Sequence, residues 1–358
     1  MFNILITSPS LDENKNVSGI STIVKTIIVN DTQNQYFHFK LGRDDYGPSK
    51  IKWLINQFLV FPNLIYFIRK NKINIVHLNT PLEKSAIIRD FFVFMVVRYL
   101  FSLKVLIHIH GGYMLMQPPA RRSVFFIMIK KILKRASGVL VLSDIEKDRI
   151  YKDYEIDCLV LANGIKANEV VERDASQFEG KINISFLGRI VKSKGIFLIA
   201  ETLSQLRDYH EDFHFNIYGV GPDQDVFLKQ IAGIHTLNYT YHGVVKDTDK
   251  WRALTDTQLF LLPSIYGEGL PIAMLEAMSL GCIPVVSNDA SMLSVVEDGI
   301  SGYIVQKGDQ QQLSDKLRYI LNNRSMLYPV SRNASKRIYE NYNVNSYLDR
   351  LRNIYQIL

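Results

Sequence analysis

The chain reads as an α/β protein built from two doubly wound parallel-sheet domains facing a cleft. Three observations carry that reading. Its 358 residues suffice for two domains of ordinary size, each with its own core. Short apolar runs alternate with longer amphipathic segments from one end to the other, the pattern of parallel sheets with right-handed crossovers. The alternation also pauses at a polar stretch near the middle and then restarts.

The candidate strands of the first half are 3–7, 74–77, 104–109, 138–142 and 158–161. Those of the second half are 182–187, 214–218, 238–242, 258–262 and 283–286. The expected organisation is a first domain over 1–166, a linker over 167–181 and a second domain over 182–340. A final helix over 341–358 is expected to pack back toward the first domain. Two such sheets bring the C-terminal ends of their strands around a crevice, where doubly wound folds bind ligands.

Composition narrows the class. Hydrophobic residues make up 47% and charged residues 22%, a globular balance. Lys and Arg outnumber Asp and Glu by 42 to 35, a formal +7 that favours phosphate-bearing ligands or an anionic membrane surface without singling out nucleic acid. Cys158 and Cys282 are far apart in apolar runs and read as buried thiols of a reducing cytoplasm. The N-terminal residues lack a basic flank and a cleavage pattern and read as a first strand. The most apolar stretch, 87–110, is broken by Arg98 and Lys104, and divides into a helix ending near Ser102 and a strand rather than a membrane span.

The richest segment runs from Pro263 through Ser264, Tyr266, Gly267, Glu268, Gly269, Leu270 and Pro271 to Glu276. It follows an apolar strand and enters an apolar helix, so free backbone N–H groups and the helix dipole favour a phosphate or a hydroxyl-rich ligand at the turn. Glu268 is expected in the turn and Glu276 about two turns into the helix, both on the cleft side. Carboxylates accept bidentate hydrogen bonds from vicinal hydroxyls such as those of a ribose or a hexose. A bare pair of glutamates at this spacing is usually ordinary surface. Strand, glycine turn and helix together make it a site.

A second segment, Phe186-Leu187-Gly188-Arg189-Ile190-Val191-Lys192-Ser193-Lys194-Gly195, is a strand end, a basic turn and a helix start. Fixed cations there stabilise a leaving group that gains negative charge as its bond breaks. A third, His108-Ile109-His110-Gly111-Gly112, closes a strand of the first domain. Alternation sends both histidines to one face, with His110 nearer the strand's C-terminal end. His108 reads as structural. No third ligand of suitable spacing accompanies the His-x-His pair, so no metal is expected.

These segments resemble glycosyltransferase family 4, whose signature is Glu-x7-Glu on a GT-B fold of two Rossmann-like domains. The resemblance covers nearly the whole chain and is strongest over 184–305. It implies a retaining, metal-independent hexosyltransferase without cofactor, drawing a hexose or N-acetylhexosamine from a nucleoside-diphosphate sugar. By it, Glu276 holds the donor ribose, Glu268 the hydroxyls of the transferred sugar, and the amides of Gly269 and Leu270 approach the donor phosphates or sugar. Arg189 and Lys194, beside Gly188, match the diphosphate-binding pair, and His110 supports the transferred sugar. Gly19 lies where the family brings a glycine to the donor phosphate, although the usual glycine pair is reduced here to one. Asn163-Gly164 resembles the turn that ends the first domain. The loops at Gly219 and Val244 resemble those whose backbones read the base; each is also a plain tight turn. Ser287-Asn288-Asp289-Ala290 departs from the family's glycine-rich loop, and no contact is carried over to it.

The donor leans to a UDP-sugar and the acceptor to a lipid-linked glycan of surface polysaccharide synthesis at the cytoplasmic membrane. Residues 120–136 carry Arg121, Arg122, Lys130, Lys131, Lys134 and Arg135. Val124, Ile127 and Met128 interleave with the lysines, while Phe125, Phe126, Ile129, Ile132 and Leu133 lie opposite. Such a mixed side suits an anionic lipid interface, and equally a solvated face. Two rival functions stay open: a nucleotide-sugar epimerase on the same fold, and a non-catalytic sugar-nucleotide-binding subunit. A nicotinamide dehydrogenase is disfavoured, because the first strand is not followed by Gly-x-Gly-x-x-Gly.

Overall fold

The computed structural model of the chain describes residues 1–42, 50–289 and 291–358. Its contacts divide the chain into two units, Met1–Gly164 with Val344–Leu358, and Ile165–Asn343.

The first unit runs β1 (Asn3–Ser8), α1 (Gly19–Asn30), β2 (Gln35–Lys40), α2 (Lys50–Lys70), β3 (Ile75–Thr80), α3 (Lys84–Met95), β4 (Lys104–Ile109), α4 (Tyr113–Met116), α5 (Val124–Arg135), β5 (Gly138–Val141), α6 (Asp144–Tyr154) and β6 (Leu159–Val160). Its six strands are all parallel, in the order β2-β1-β3-β4-β5-β6. The second unit runs β7 (Ile182–Leu187), α7 (Ile196–Gln205), β8 (Phe213–Tyr218), α8 (Gln224–Ala232), β9 (Tyr239–Gly243), α9 (Asp247–Thr255), β10 (Leu259–Leu262), α10 (Ile272–Ser279), β11 (Ile283–Ser287), α11 (Met292–Val295), β12 (Tyr303–Val305), α12 (Gln310–Asn322) and α13 (Leu327–Asn341). This sheet is also parallel throughout, in the order β12-β11-β10-β7-β8-β9. Both are doubly wound α/β sheets, the architecture the alternation of apolar runs predicts.

The central strands are buried on both faces. Ile4, Leu5, Ile6, Val105, Leu106 and Ile107 are closed to solvent in the first sheet, as are Ile184, Phe186, Leu259, Phe260 and Leu261 in the second. That is why β1 and β10 read as nearly continuous apolar runs. Beyond α13 the chain returns to the first unit as α14 (Val344–Ile357). Its buried residues Val344, Tyr347, Leu348, Leu351, Ile354 and Tyr355 recur at helical spacing and pack with Ile4, Ile6, Ile23, Ile27, Ile75 and Leu140. Each buried apolar side chain of this kind contributes roughly 1.5–3 kcal/mol.

Two expectations need correction. Residues 167–181 are not a linker but part of the second unit. The buried Arg173 donates from Nε to the Leu280 carbonyl at 2.9 Å and from a terminal nitrogen to the Leu254 carbonyl at 3.1 Å, and Phe178 is buried. The segment's one arginine donates to carbonyls at the C-terminal ends of α9 and α10, which a polar stretch of sequence does not reveal. In α5, Met128 lies with the buried residues rather than on the basic side. Val124 and Ile127 are exposed beside Lys131, Lys134 and Arg135, as the helical wheel places them. The apolar stretch 87–110 resolves into α3, a π-helical turn over Val96–Leu100, and β4. Among the described residues no helix is long and apolar enough to cross a membrane.

Candidate functional site

In the second sheet the connections β7→β8→β9 step one way and β10→β11→β12 the other, so the order reverses between β7 and β10. Ligands of doubly wound sheets bind at such a switch point, at the strands' C-terminal ends. The loops that follow these two strands, 188–195 and 263–271, hold the basic turn and the first glutamate.

The two loops are fastened to each other by backbone contacts that admit no side chain. The Ile265 amide donates to the Ser193 carbonyl at 2.7 Å. Gly195 has φ +73°, and a Cβ there would stand 2.0 Å from the Pro263 carbonyl oxygen. Across this seam Lys194 Nζ meets Glu268 Oε1 at 2.6 Å, and Ser264 donates to the same oxygen at 2.9 Å. Glu268 is buried at 8% exposure, whereas Arg189 is exposed on the same basic turn. Gly269 and Leu270 are buried just ahead of α10, whose N-cap is Pro271. Because α10 begins only at Ile272, Glu276 sits little more than one turn into the helix, not two. Glu276 is buried and accepts from Lys250 of α9 at 2.6 Å.

Both glutamates of the motif therefore carry a lysine counter-ion, one from the basic turn and one that sequence reasoning missed. A third pair was also missed. Asp289, just past β11, is buried, bonds Lys307 at 2.5 Å and accepts from the backbone N–H of Glu268. Burial pushes the Asp289 carboxyl up against the pull of Lys307. Asp289 thus holds the main chain of Glu268, although its loop lacks the family's glycines; Ala290 lies outside the described residues. A lysine 18 or 26 residues from its partner leaves no periodic trace in a sequence, so Lys307 and Lys250 were not legible there.

Gly219 sits in a tight backbone packing of its own. Its φ is +124°, and a Cβ would lie 1.9 Å from the Gly188 carbonyl oxygen; a Cβ on Gly221 would lie 2.1 Å from that of Ile190. These glycines are required by the packing of two loops, whether or not a base approaches. The Gly219 amide donates to the Gly243 carbonyl at 2.6 Å, which ties in the third loop, where Val244 is half-buried.

The remaining predicted residues lie in the first unit. Gly19 is exposed and opens α1, with Ser18 as its N-cap accepting from the Ser21 amide. Asn163 is buried near the unit's end. His110 follows β4 and is half-buried, its Nε2 2.7 Å from Asn79 Oδ1. Its ring lies 4.1 Å from that of His108, which stacks in turn on His77; His77 Nδ1 meets the Tyr355 hydroxyl at 2.6 Å. His77 Nε2 lies 3.3 Å from His108 Nδ1, and among the described residues no three His, Cys, Asp or Glu side chains come together to hold a metal. Desolvation holds His110 and His77 well below the ordinary imidazole range, reinforced by the neighbouring rings, and His108 falls to about 3. All three are neutral at pH 7. The thiols of Cys158 and Cys282 are buried, and desolvation pushes them up to about 12 and about 11.

Residues 169–340, all within the second unit, match the family described as glycosyl transferases group 1. An uncharacterized glycosyltransferase of Methanocaldococcus jannaschii is 24% identical over 74% of this chain and 71% of its own. The putative colanic acid biosynthesis glycosyltransferase WcaL of Escherichia coli is 26% identical over 60% of this chain, and the match spans 55% of that protein. Among solved structures, Anabaena HepE in complex with UDP and glucose superposes with a TM-score of 0.78 at 14% identity, each chain covered in full. Sucrose-phosphate synthase from Thermosynechococcus elongatus gives 0.82 at 14% identity, covering 99% of this chain and 98% of its own. The fold is GT-B, and the relatives support a glycosyltransferase.

Proposed function

We propose, from the premise that this chain is a glycosyltransferase of GT-B fold, that it transfers a hexose or N-acetylhexosamine from a UDP-sugar to a hydroxyl of a glycan acceptor, retaining the anomeric configuration. The observation that carries the proposal is the switch point of the second sheet, where Arg189, Lys194, Glu268 and Glu276 occupy adjoining loops and one helix. The lean to UDP is supported by the UDP and UDP-glucose complexes of Anabaena HepE. The polysaccharide acceptor is supported by relatives named for colanic acid, poly(ribitol-phosphate) and capsular polysaccharide synthesis.

In this reading the ion pairs are exchanged on binding. The donor diphosphate is the stronger anion and draws Lys194, with Arg189, away from Glu268. The released carboxylate then accepts from the hydroxyls of the sugar, while Glu276 accepts from the ribose with Lys250 beside it. Gly269 and Leu270 are assigned to the phosphate–sugar junction, Gly188, Gly219 and Val244 to the nucleoside side, Gly19 and Asn163 to the donor, and His110 to its sugar. The bond from the anomeric carbon to the phosphate oxygen breaks as the acceptor oxygen bonds to the same face. The acceptor's proton passes to the departing diphosphate, whose growing charge Arg189 and Lys194 stabilise. No metal and no cofactor enter this scheme.

The acceptor is proposed to be lipid-linked, with the protein peripheral on the inner face of the cytoplasmic membrane. The support is a surface: exposed Val124, Ile127, Lys131, Lys134 and Arg135 on α5, and exposed Ile88 and Phe92 on α3, which packs against α5. Each lysine or arginine near an anionic bilayer contributes about 1 kcal/mol. Lys131→Glu with Lys134→Glu should therefore release the protein from phosphatidylglycerol vesicles in co-sedimentation; unchanged binding rejects this face.

The donor assignment is tested by thermal unfolding with UDP, GDP, ADP and dTDP. The matching nucleotide, at about 100 times its dissociation constant, stabilises by about 2.7 kcal/mol. Hydrolysis-free conversion of the donor without acceptor would point instead to an epimerase. If none of the four nucleotides shifts the melting curve, the donor site is wrongly placed.

A further inference from the structure

We infer that Asn79 is a positioning residue that fixes which ring nitrogen of His110 carries the proton, so that His110 presents Nδ1 as an acceptor to a hydroxyl of the transferred sugar. The inference rests on the assignment of His110 to that sugar made above. The first sheet has its own switch point, between β1 and β3, and Asn79 stands there. Its backbone N–H donates to Thr7 Oγ1 at 3.0 Å and its side-chain Nδ2 to the Thr7 carbonyl at 2.9 Å. A carbonyl only accepts, so the nitrogen of the amide must face Thr7 and Oδ1 must face away from it. Oδ1 lies 2.7 Å from His110 Nε2 and likewise only accepts. The donor in that contact is therefore His110 Nε2–H.

Neutrality completes the argument. The rings of His108 and His77 stand on one side of His110, and a proton added there has no carboxylate to face in the array His77, His108, Tyr355 and Asn79. A neutral imidazole with its proton on Nε2 keeps one lone pair, on Nδ1. Such a group selects a hydrogen-bond donor, a sugar hydroxyl, over a carbonyl or a phosphate oxygen. The ring is also held in place from its backbone. The His110 amide donates to the Thr80 carbonyl at 2.9 Å, and Gly112 turns at φ +109° where a Cβ would stand 2.5 Å from the Leu82 nitrogen. Thr7 and Asn79 thus set the tautomer, and the glycine turn sets the ring's position.

The test is a long-range 1H–15N spectrum of protein labelled at histidine nitrogens, with His110 assigned by its loss in His110→Gln. The expected pattern for His110 is a protonated Nε2 and an unprotonated Nδ1 at neutral pH. Asn79→Leu should give a mixture of tautomers and lower kcat about 10- to 100-fold, the scale of one misdirected buried hydrogen bond, with donor KM changed less than about 3-fold. Asn79→Asp should draw a proton onto the ring and give a rate that climbs with pH across the neutral range, a profile absent from the parent. A proton on Nδ1 in the parent overturns the inference, and so does an unchanged tautomer with unchanged kcat in both variants. Should Asn79→Leu fail to fold, the parent spectrum alone decides. Full activity in His110→Gln would remove the sugar assignment while leaving the tautomer result standing, so the two claims fail separately.

Discussion

The two units solve the same topological problem with opposite chemistry. At the switch point of the second sheet the polar groups are ions: Lys194 with Glu268, Lys250 with Glu276 and Lys307 with Asp289, each pair within 2.6 Å. At the switch point of the first they are neutral, with Thr7, Asn79 and His110 joined by hydrogen bonds and His77 and His108 desolvated behind them. Paired ions are exchangeable, because an arriving anion competes for the cation. A neutral array is directional, because it offers a fixed pattern of donors and acceptors and no net attraction. The contrast suits the proposed roles, in which the second unit captures a diphosphate and the first orients hydroxyls.

The sharpest way to break the contrast is to remove the cations. Arg189→Ala combined with Lys194→Ala is expected to lower transfer about 1000-fold or more, the scale of preorganised charge lost from a transition state. Stopped transfer with a melting temperature within a few degrees of the parent is the expected result. Undiminished turnover would remove the diphosphate assignment. Next in size is packing. Leu351→Ala in α14 should destabilise the protein by about 2–5 kcal/mol in urea unfolding, since Leu351 is fully closed to solvent among Ile4, Ile23 and Leu140. A loss below 1 kcal/mol would mean that α14 is not part of the first unit's core.

Acid separates the units more directly. The unfolded chain protonates histidine near pH 6.5, whereas folded His108 does so only near pH 3 and His77 and His110 also well below 6.5. In that window the unfolded state binds more protons, so stability rises with pH and is lost as pH falls from about 6.5 toward 3. The slope reaches about 1.4 kcal/mol per pH unit for each histidine. Urea midpoints at pH 7.5, 6.5, 5.5 and 4.5 should trace it, and His108→Phe should flatten it. A midpoint that holds steady down to pH 4.5 would show that these rings are hydrated, and the neutral array would lose its basis.

Much of the fold and part of the candidate site are legible in the sequence. The strands at 104–109 and 182–187 were placed residue for residue, because each is a short run rich in apolar residues, broken only by Lys104 and His108 in one and by Asn183 and Ser185 in the other. β2 was missed because it is an edge strand with exposed polar ends, half-buried at three of its six residues, and β12 because three residues show no period. Arg189, Lys194, Glu268 and Glu276 were visible because each lies beside a glycine turn or on the helix that follows one. Their counter-ions were not. Lys250, Asp289, Lys307 and Asn79 act between elements far apart in sequence, and only the fold brings them near. Gly219 was legible as part of a loop that resembles a base-reading one or a tight turn, but not for its close approach to the Gly188 carbonyl.

The smallest expected effect follows from that difference in visibility. If Lys194 and Lys250 are exchangeable partners, added salt competes with the donor at the second unit and hardly touches the first. Ion pairs near the surface are screened over about 10 Å at 0.1 M salt and about 3 Å at 1 M. Raising NaCl from about 0.05 M to about 0.5 M should therefore weaken binding of UDP several-fold in calorimetry, while the histidine tautomer signals stay fixed. Lys250→Met should lessen that salt dependence without abolishing binding, since Lys194 and Arg189 remain to meet the diphosphate. UDP affinity that ignores salt in both proteins would mean that binding does not proceed by exchange of ions, and that the pairs at the second switch point only brace their loops.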